Sequence, residues 1–437
     1  MVVLLLAALA LAPACGSFAA APTPAGAAEP VVRRTVQKKV VVDVRGRRWQ
    51  PAGKAFRGGV NRSATPDAAS GSPALYRRAR AGVRRIRLRV PRRGRYAVVL
   101  YLADPSPAPH RRVFHVDAEG KRARSNVVVY HGGNFDFVRR EYGMRRPLHA
   151  IFESVVRNRR LNIRFRRVEG KPVVSAVEAR RLGSVRMSSV EPLWRDDFNG
   201  PEGDRPNSDL WRYQTGFDWS HGELQAHTDR PENASLDGKG NLAITARRER
   251  YEMHGESDDY TSARMNAVRP ISLRRAAIAG RVRHPAGAGL WSNFWFWGDE
   301  SAAHPYPYNS ELNVTEQNGA TTRRVNSFFH FGEAVGEDRA RDSQWLGGRG
   351  VRRRVSARFL TYGVRSVPGA FELSVNGKRH SSWTAADLPR RARWALDENP
   401  FTLILSLAVG GDYVDGAPPP STRFPATMRI DYISVEG

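Results

Sequence analysis

Glu311, Asn313 and Glu316 stand in the run Tyr306-Pro-Tyr-Asn-Ser-Glu-Leu-Asn-Val-Thr-Glu-Gln-Asn-Gly319, two carboxylates flanking one amide. Carboxyl pairs about 5 Å apart serve retaining glycoside hydrolysis, one as nucleophile and the other as proton donor. The run reads as a strand, on which Glu311 and Asn313 share a face because successive side chains alternate. Glu316 would face away unless a β-bulge supplies one extra residue. Even then the two α-carbons lie roughly 13 Å apart at about 3.3 Å per residue, so a bent strand and converging side chains are required. With that met, Glu311 would attack an anomeric carbon, and Glu316, kept protonated, would protonate the leaving oxygen and then activate water. Taken alone, the same residues also suit the solvent face of an ordinary strand.

The elements that must position them are all β. Between about Val40 and Leu182 come Ile86-Arg-Leu-Arg-Val90, Tyr96 to Leu102, Val113 to Val116, Leu161-Asn-Ile-Arg-Phe165 and Val173 to Val177, several with Arg alternating against Ile, Leu or Val. That alternation gives a sandwich strand with one apolar and one charged face. The short polar stretch Gly183 to Val190 serves as a boundary. Beyond it lie Leu242 to Ala246, Ile278 to Val282, Phe294 to Trp297, Ser327 to His330, Phe371 to Val375, Phe401 to Val409 and Met428 to Val435, enough for a two-sheet jelly roll. Asn376-Gly377 accepts the positive φ angles of a tight hairpin turn. Trp295 and Trp297 alternate on one strand, and at least one of them is expected in the core.

At 437 residues the chain is long enough for two or three domains. Residues 1–28 read as a secretory signal: an apolar run of about a dozen residues, shorter than a membrane span, leads to Ala25-Gly26-Ala27. The single cysteine, Cys15, lies inside that segment, so the exported protein would have neither a disulfide nor a thiol nucleophile. Leu11-Ala-Pro-Ala-Cys15 loosely matches a lipoprotein box, which leaves lipid anchoring as an alternative to free secretion. Absence of other cysteines and heavy use of Arg and Ala point to a bacterium. The formal net charge of +27 is uneven: residues 31–186 hold 39 Lys and Arg against 10 Asp and Glu, whereas residues 187–437 hold 31 against 32. Two domains with different partners follow.

Leu290-Trp-Ser-Asn-Phe-Trp295, Tyr306 to Glu316, Pro400 to Gly411 and Phe424 to Val435 closely resemble glycoside hydrolase family 16, laminarinase type. Asp196-Asp-Phe-Asn-Gly200, Gly222-Glu-Leu-Gln-Ala-His-Thr228, Pro231-Glu-Asn233 and Tyr260-Thr-Ser-Ala-Arg264 add to the resemblance, in family order, over about residues 190–437. It implies a concanavalin-like β-jelly roll with an open cleft and endo-acting, retaining cleavage of β-1,3-glucan. By the same resemblance Glu311 is the nucleophile, Glu316 the acid/base and His330 a neighbouring-strand histidine near the acid/base. Trp291 and Trp295 are cleft tryptophans, Asn233 and Arg264 polar sugar contacts, and Glu223 and Gln225 a cleft-edge segment. No cofactor is implied, and a structural calcium on the convex face would take Asp197 and Asp431.

The chain departs from that pattern where it matters. Asn313 replaces the aspartate between the glutamates; an amide can hold a carboxylate's rotamer but brings no charge and shares no proton. Tyr306 replaces a tryptophan and Ser310 a glycine, and the acid of a Gly-Arg-x-Glu segment is absent whether that segment is Ala276 to Ala279 or, with a shifted register, Gly280 to Arg283. Hydrolysis or transglycosylation of another glycan, a galactan or an anionic polysaccharide, is therefore one alternative, and a glycan-binding protein without turnover another.

Ser72 to Tyr76, Val90 to Asp104, Arg112 to Gly120 and Gly170 to Glu178 look like a malectin-type domain over about residues 38–182, implying a carbohydrate-binding β-sandwich. Its Tyr76, Tyr101 and Phe114 suit core as well as contact. The excess of positive charge suggests an anionic cell-wall or matrix polymer as partner. No nucleic-acid motif or aromatic-basic platform is present, so nucleic acid is not the expected partner. A monomer is expected.

Overall fold

The computed structural model describes residues 30–63, 72–104, 111–130, 135–136, 141–142, 148–183, 192–217, 219–300, 304–332, 338–346 and 355–437. The expected signal segment, with Cys15, and the boundary residues after Gly183 lie outside them. The described residues are almost wholly β, in agreement with the all-β expectation.

Two sheets make the N-terminal sandwich. One contains Gly94–Leu102 between Leu148–Val156 and Ala176–Gly183; the other runs Lys121–Tyr130, Arg111–Ala118, Arg160–Glu169, Arg85–Arg89, Phe56–Arg57. Ile86, Leu88, Phe114, Val116, Leu161, Ile163 and Phe165 from the second sheet meet Val98, Leu100 and Phe152 from the first in one core. The alternating arginines project from the opposite face, as the pattern predicts.

The C-terminal region is a second two-sheet sandwich. One sheet carries Leu242–Met253, Ala426–Glu436, Ala277–Arg283, Leu360–Val367, Ala370–Val375 and Lys378–Thr384 in that order. The other runs Arg264–Ala267, Pro400–Val409, Leu290–Gly298, Glu311–Asn318, Arg324–Gly332, Asp338–Leu346. Phe294, Phe296, Leu312, Val314, Leu403 and Leu405 fill the space between them. The Asn376-Gly377 turn joins two strands in Val375–Lys378 register with φ of 50° and 70°, the positive pair a type I′ turn needs.

The two sandwiches pack against each other. Trp49, Tyr76, Tyr101 and Ile151 share an apolar cluster with Val367, Ala370 and Ala386. Arg45 crosses to donate to the carbonyls of Ala385 and Ala392 at 2.7 and 2.5 Å, and the Tyr76 hydroxyl lies 2.9 Å from His149 Nε2 and 3.4 Å from Asp387 Oδ1. Removing one partner from such a buried set costs about 1–3 kcal/mol because the other is left unsatisfied. Tyr76, Tyr101 and Phe114 are all buried, so none offers a face to a ligand.

The loop before the carboxylate strand is pinned from two sides. Asn309 donates through Nδ2 to the Gly298 carbonyl at 2.8 Å, and a Cβ on Gly298 would come within 1.9 Å of the Asn309 carbonyl oxygen. Ser310 follows at φ 66°, fully buried, with no partner for its hydroxyl. Left-handed backbone penalises a Cβ, and a buried unpaired hydroxyl adds to the cost. Ser310→Gly is therefore expected to stabilise the fold by about 1 kcal/mol, seen as a higher urea midpoint. An unchanged or lower midpoint contradicts this account of the turn.

Candidate active site

Glu311, Asn313 and Glu316 come to one face through a bulge at Val314. Against the Leu290–Gly298 strand, Glu311 pairs with Trp297, Asn313 with Trp295, Thr315 with Phe294 and Glu316 with Asn293, the register slipping between Trp295 and Phe294. Val314 and Thr315 both turn inward, to the core and to the buried His284 ring, and Glu316 returns to the outer face. This is the extra residue that the spacing demands, and a bulge also bends the strand.

The amide of Asn313 closes the geometry. Its Nδ2 donates to Glu311 Oε1 and to Glu316 Oε2, each at 2.7 Å, which holds those two oxygens within twice 2.7 Å of each other. Asn313 is 3% and Glu316 6% exposed, while Glu311 is half-buried. Burial, and secondly the charge of Glu311, push the Glu316 carboxyl up to about 8; the His330 ring, the Trp291 indole and the Asn313 amide oppose this and do not cancel it. One carboxyl that stays protonated beside another that faces solvent is an acid–nucleophile arrangement.

The aromatic residues line the same face. Trp291, Trp295 and Trp297 share one face of a strand whose other face gives Phe294 and Phe296 to the space between the sheets. Of the two tryptophans of which at least one is expected to be buried, Trp295 is, at 8% exposure beneath Arg264, and Trp297 is half-buried. The Trp297 ring stacks on Tyr306 at 4.9 Å and 9°, and the Tyr306 hydroxyl lies 3.2 Å from His330 Nδ1. His330 is in direct register with Glu311 on the adjacent strand.

At the other end Trp291 packs on Tyr413, whose hydroxyl donates to the Glu316 carbonyl at 3.0 Å. Arg264 lies over Trp295 at 4.7 Å and Trp219 at 5.2 Å, with Glu223 and Glu311 the acids nearest in effect; burial lowers its guanidinium to about 10.

Two of the expected contacts serve other ends. Gln225 is fully buried, donating to Glu223 Oε2 at 2.7 Å and accepting from the Val409 amide at 2.6 Å, so it braces Glu223 and the edge of the sheet. Asn233 is fully buried as well; its oxygen accepts from Thr228 and Arg230, and its nitrogen donates to the Thr245 carbonyl and Thr261. It holds a turn and has no edge left for a sugar. Trp219, Tyr306 and Tyr413 are the members that sequence reading overlooked as contributors. Tyr306 carried a signal in its place at the head of the carboxylate run, and Tyr413 in its place just after the Gly410-Gly411 pair that ends the central strand.

Of the two acids expected to hold a calcium, Asp197 pairs with Arg195, at 2.5 Å to Nη2, and Asp431 with Arg281, both on the surface. Among the described residues no group of three or more His, Cys, Asp or Glu side chains is placed to hold a metal.

No family model matches the chain. The glucan endo-1,3-β-glucosidase A1 of Niallia circulans is 27% identical over 286 residues, 61% of this chain and 41% of that protein. The β-glucanase of Rhodothermus marinus is 29% identical over 58% of this chain and 88% of its own length. Among solved structures, the laminarinase catalytic domain of Thermotoga maritima MSB8 matches with a TM-score of 0.50 at 29% identity, over 56% of this chain and 97% of that one. The laminarinase catalytic domain of Thermotoga petrophila RKU-1 matches with a TM-score of 0.51 at 28% identity, over the same shares.

These likenesses indicate a glycoside hydrolase. The chain spans less than half of the Niallia protein and nearly all of the two catalytic domains.

Asn313→Asp tests the amide bridge in this hydrolase. It removes a donor from Glu316 and adds negative charge beside it, and both changes hold the Glu316 proton to higher pH. An acid must keep its proton to act, so activity of the native chain falls as pH rises through about 8. In Asn313→Asp that alkaline limb of kcat/KM moves upward; a limb that stays in place or moves down contradicts the bridge's electrostatic role.

Proposed function

We propose that the protein is a secreted bacterial endo-acting, retaining hydrolase of β-1,3-glucan, with Glu311 as nucleophile and Glu316 as acid and then base. The carrying observation is the single amide nitrogen of Asn313 bonded to both carboxylates, since a separation of about 5 Å leaves no room for a water behind the sugar and favours direct attack. Glu311 attacks the anomeric carbon while the bond to the leaving oxygen breaks and Glu316 passes its proton to that oxygen. Glu316, now a carboxylate, takes a proton from water, whose oxygen attacks the same carbon and releases Glu311.

His330, fixed by Tyr306, sits beside the pair. Trp297, half-buried, offers ring surface to the C–H face of a sugar, the buried Trp291 and Trp295 support the same face from below, and Arg264 and Glu223 read hydroxyls at the edge. β-1,3-Glucan is favoured because the Niallia relative is a glucan endo-1,3-β-glucosidase by name, and the Rhodothermus relative a β-glucanase.

The leader-like first 28 residues support export, by free secretion or through Cys15. The N-terminal sandwich supports a malectin-like accessory domain, and its positive excess supports adhesion to an anionic surface polymer.

Incubation with a panel of β-1,3-glucan, mixed-linkage glucan and galactan is expected to give new reducing ends from the first. Nuclear magnetic resonance should show the β-anomer forming first. Glu311→Ala is expected to lose activity by about 10³-fold or more. Products from galactan alone would move the substrate assignment, α-anomer first would overturn retention, and affinity with no product from any glycan would make the protein a binder.

A further inference from the structure

The outer face of the five-stranded N-terminal sheet is covered by arginines in cross-strand register. Arg57 lies opposite Arg85, Arg85 opposite Arg164, and Arg89 opposite Arg160, all exposed. Arg87 stands opposite Asn162, and Arg166 opposite His115. The one aspartate in this array, Asp117, is spent on Arg122 and Arg166, which approach its two oxygens at 2.6 and 2.5 Å. Glu119 is bonded to Asn162 instead. Arg57, Arg85, Arg87, Arg89, Arg160 and Arg164 have no carboxylate partner among the described residues.

Like charges directly opposite on neighbouring strands destabilise a sheet. A face needed only for solubility gains from mixing signs, as the neutral C-terminal region does. Here three Arg–Arg pairs stand in direct opposition, and a shallow depression of about 410 Å³ opens among Arg85, Arg87, Asn162, Arg164, Arg166 and Asp117. What the array lacks is an anion that runs across it.

The geometry points to this arginine face as a binding site for a linear polysaccharide carrying carboxylates, a polyuronate. This deepens the anionic-polymer reading given above and rests on it. Adjacent strands are spaced about 4.8 Å apart, so Arg57, Arg85 and Arg164 present guanidinium groups at that step across the sheet. A chain of sugar acids repeats one carboxylate per ring at a comparable step. Guanidinium forks match carboxylates in two parallel hydrogen bonds, which lysine in the same places would not supply. Single-stranded nucleic acid is disfavoured because Phe56, Phe114 and Phe165 of these strands all point into the core, leaving no ring on which a base could stack.

The test is equilibrium binding of the full chain to polygalacturonate, with double-stranded DNA at equal charge concentration as the competing ligand. Native protein is expected to bind polygalacturonate and to lose about tenfold or more in affinity between roughly 50 and 200 mM salt. The triple variant Arg85→Gln, Arg87→Gln, Arg164→Gln is expected to bind about tenfold more weakly at low salt, with a flatter salt dependence. Its thermal midpoint without ligand should equal or exceed the native one, because like-charge pairs are relieved. Hydrolysis of neutral β-1,3-glucan should be unchanged. Undiminished polygalacturonate binding by the variant overturns the site while leaving adhesion elsewhere on the basic domain standing. Failure of the native chain to bind any polyanion at low salt overturns both. Tighter binding to DNA that depends on the same three arginines overturns the polyuronate assignment.

Discussion

One side-chain amide ties the candidate site together: Asn313 gives its two protons to two glutamates, and that is possible only because the strand carries one residue too many. The bulge at Val314 rotates Glu316 back to the face of Glu311 and sends Val314 and Thr315 inward. Without it Glu316 would be buried in the sandwich with no donor, which a carboxyl tolerates only at great cost. With it Glu316 is buried at the outer face, among Trp291, Asn313 and His330, where its proton is retained and usable.

The sheet that bears this pair is apolar on both sides for different reasons. Its inner face packs Phe294, Phe296, Leu312 and Val314 into the core, and its outer face spreads Trp291, Trp295 and Trp297 beside the carboxylates. Tyr306 and Tyr413 bracket that surface, one bonded to His330 and the other to the backbone of Glu316. The basic sandwich is joined to the far sheet through Arg45, Tyr76, His149 and Asp387, so its charge is carried on a body fixed to the hydrolase rather than on a free arm.

Much of this was legible in the sequence. The carboxylate spacing demanded a bulge, Asn376-Gly377 demanded a hairpin, and alternating arginines demanded a charged outer face; all three are local rules of strand geometry. What was not legible depends on which neighbour a residue meets. Asn233 and Gln225 carry polar groups that suit sugar, yet tertiary partners distant in sequence consume them. Asp197, just past the Pro192–Asp196 strand, and Asp431 in the last strand are acids near the expected places, yet each pairs with an arginine, Arg195 and Arg281. Which of Trp295 and Trp297 is buried was not legible, because four consecutive aromatic residues, Phe294 to Trp297, give no parity signal. Tyr306 and Trp219 join the site through loops, whose course periodicity does not report.

The central claim is that Glu316 is an acid held protonated by its burial and by Glu311. Its most direct test is titration of that carboxyl itself, by carbon-detected magnetic resonance or difference infrared spectroscopy, in the native chain and in Glu311→Gln. A midpoint near 8 in the native chain that falls when Glu311 loses its charge is the predicted result; a midpoint near the ordinary 4.5 in both proteins would contradict it.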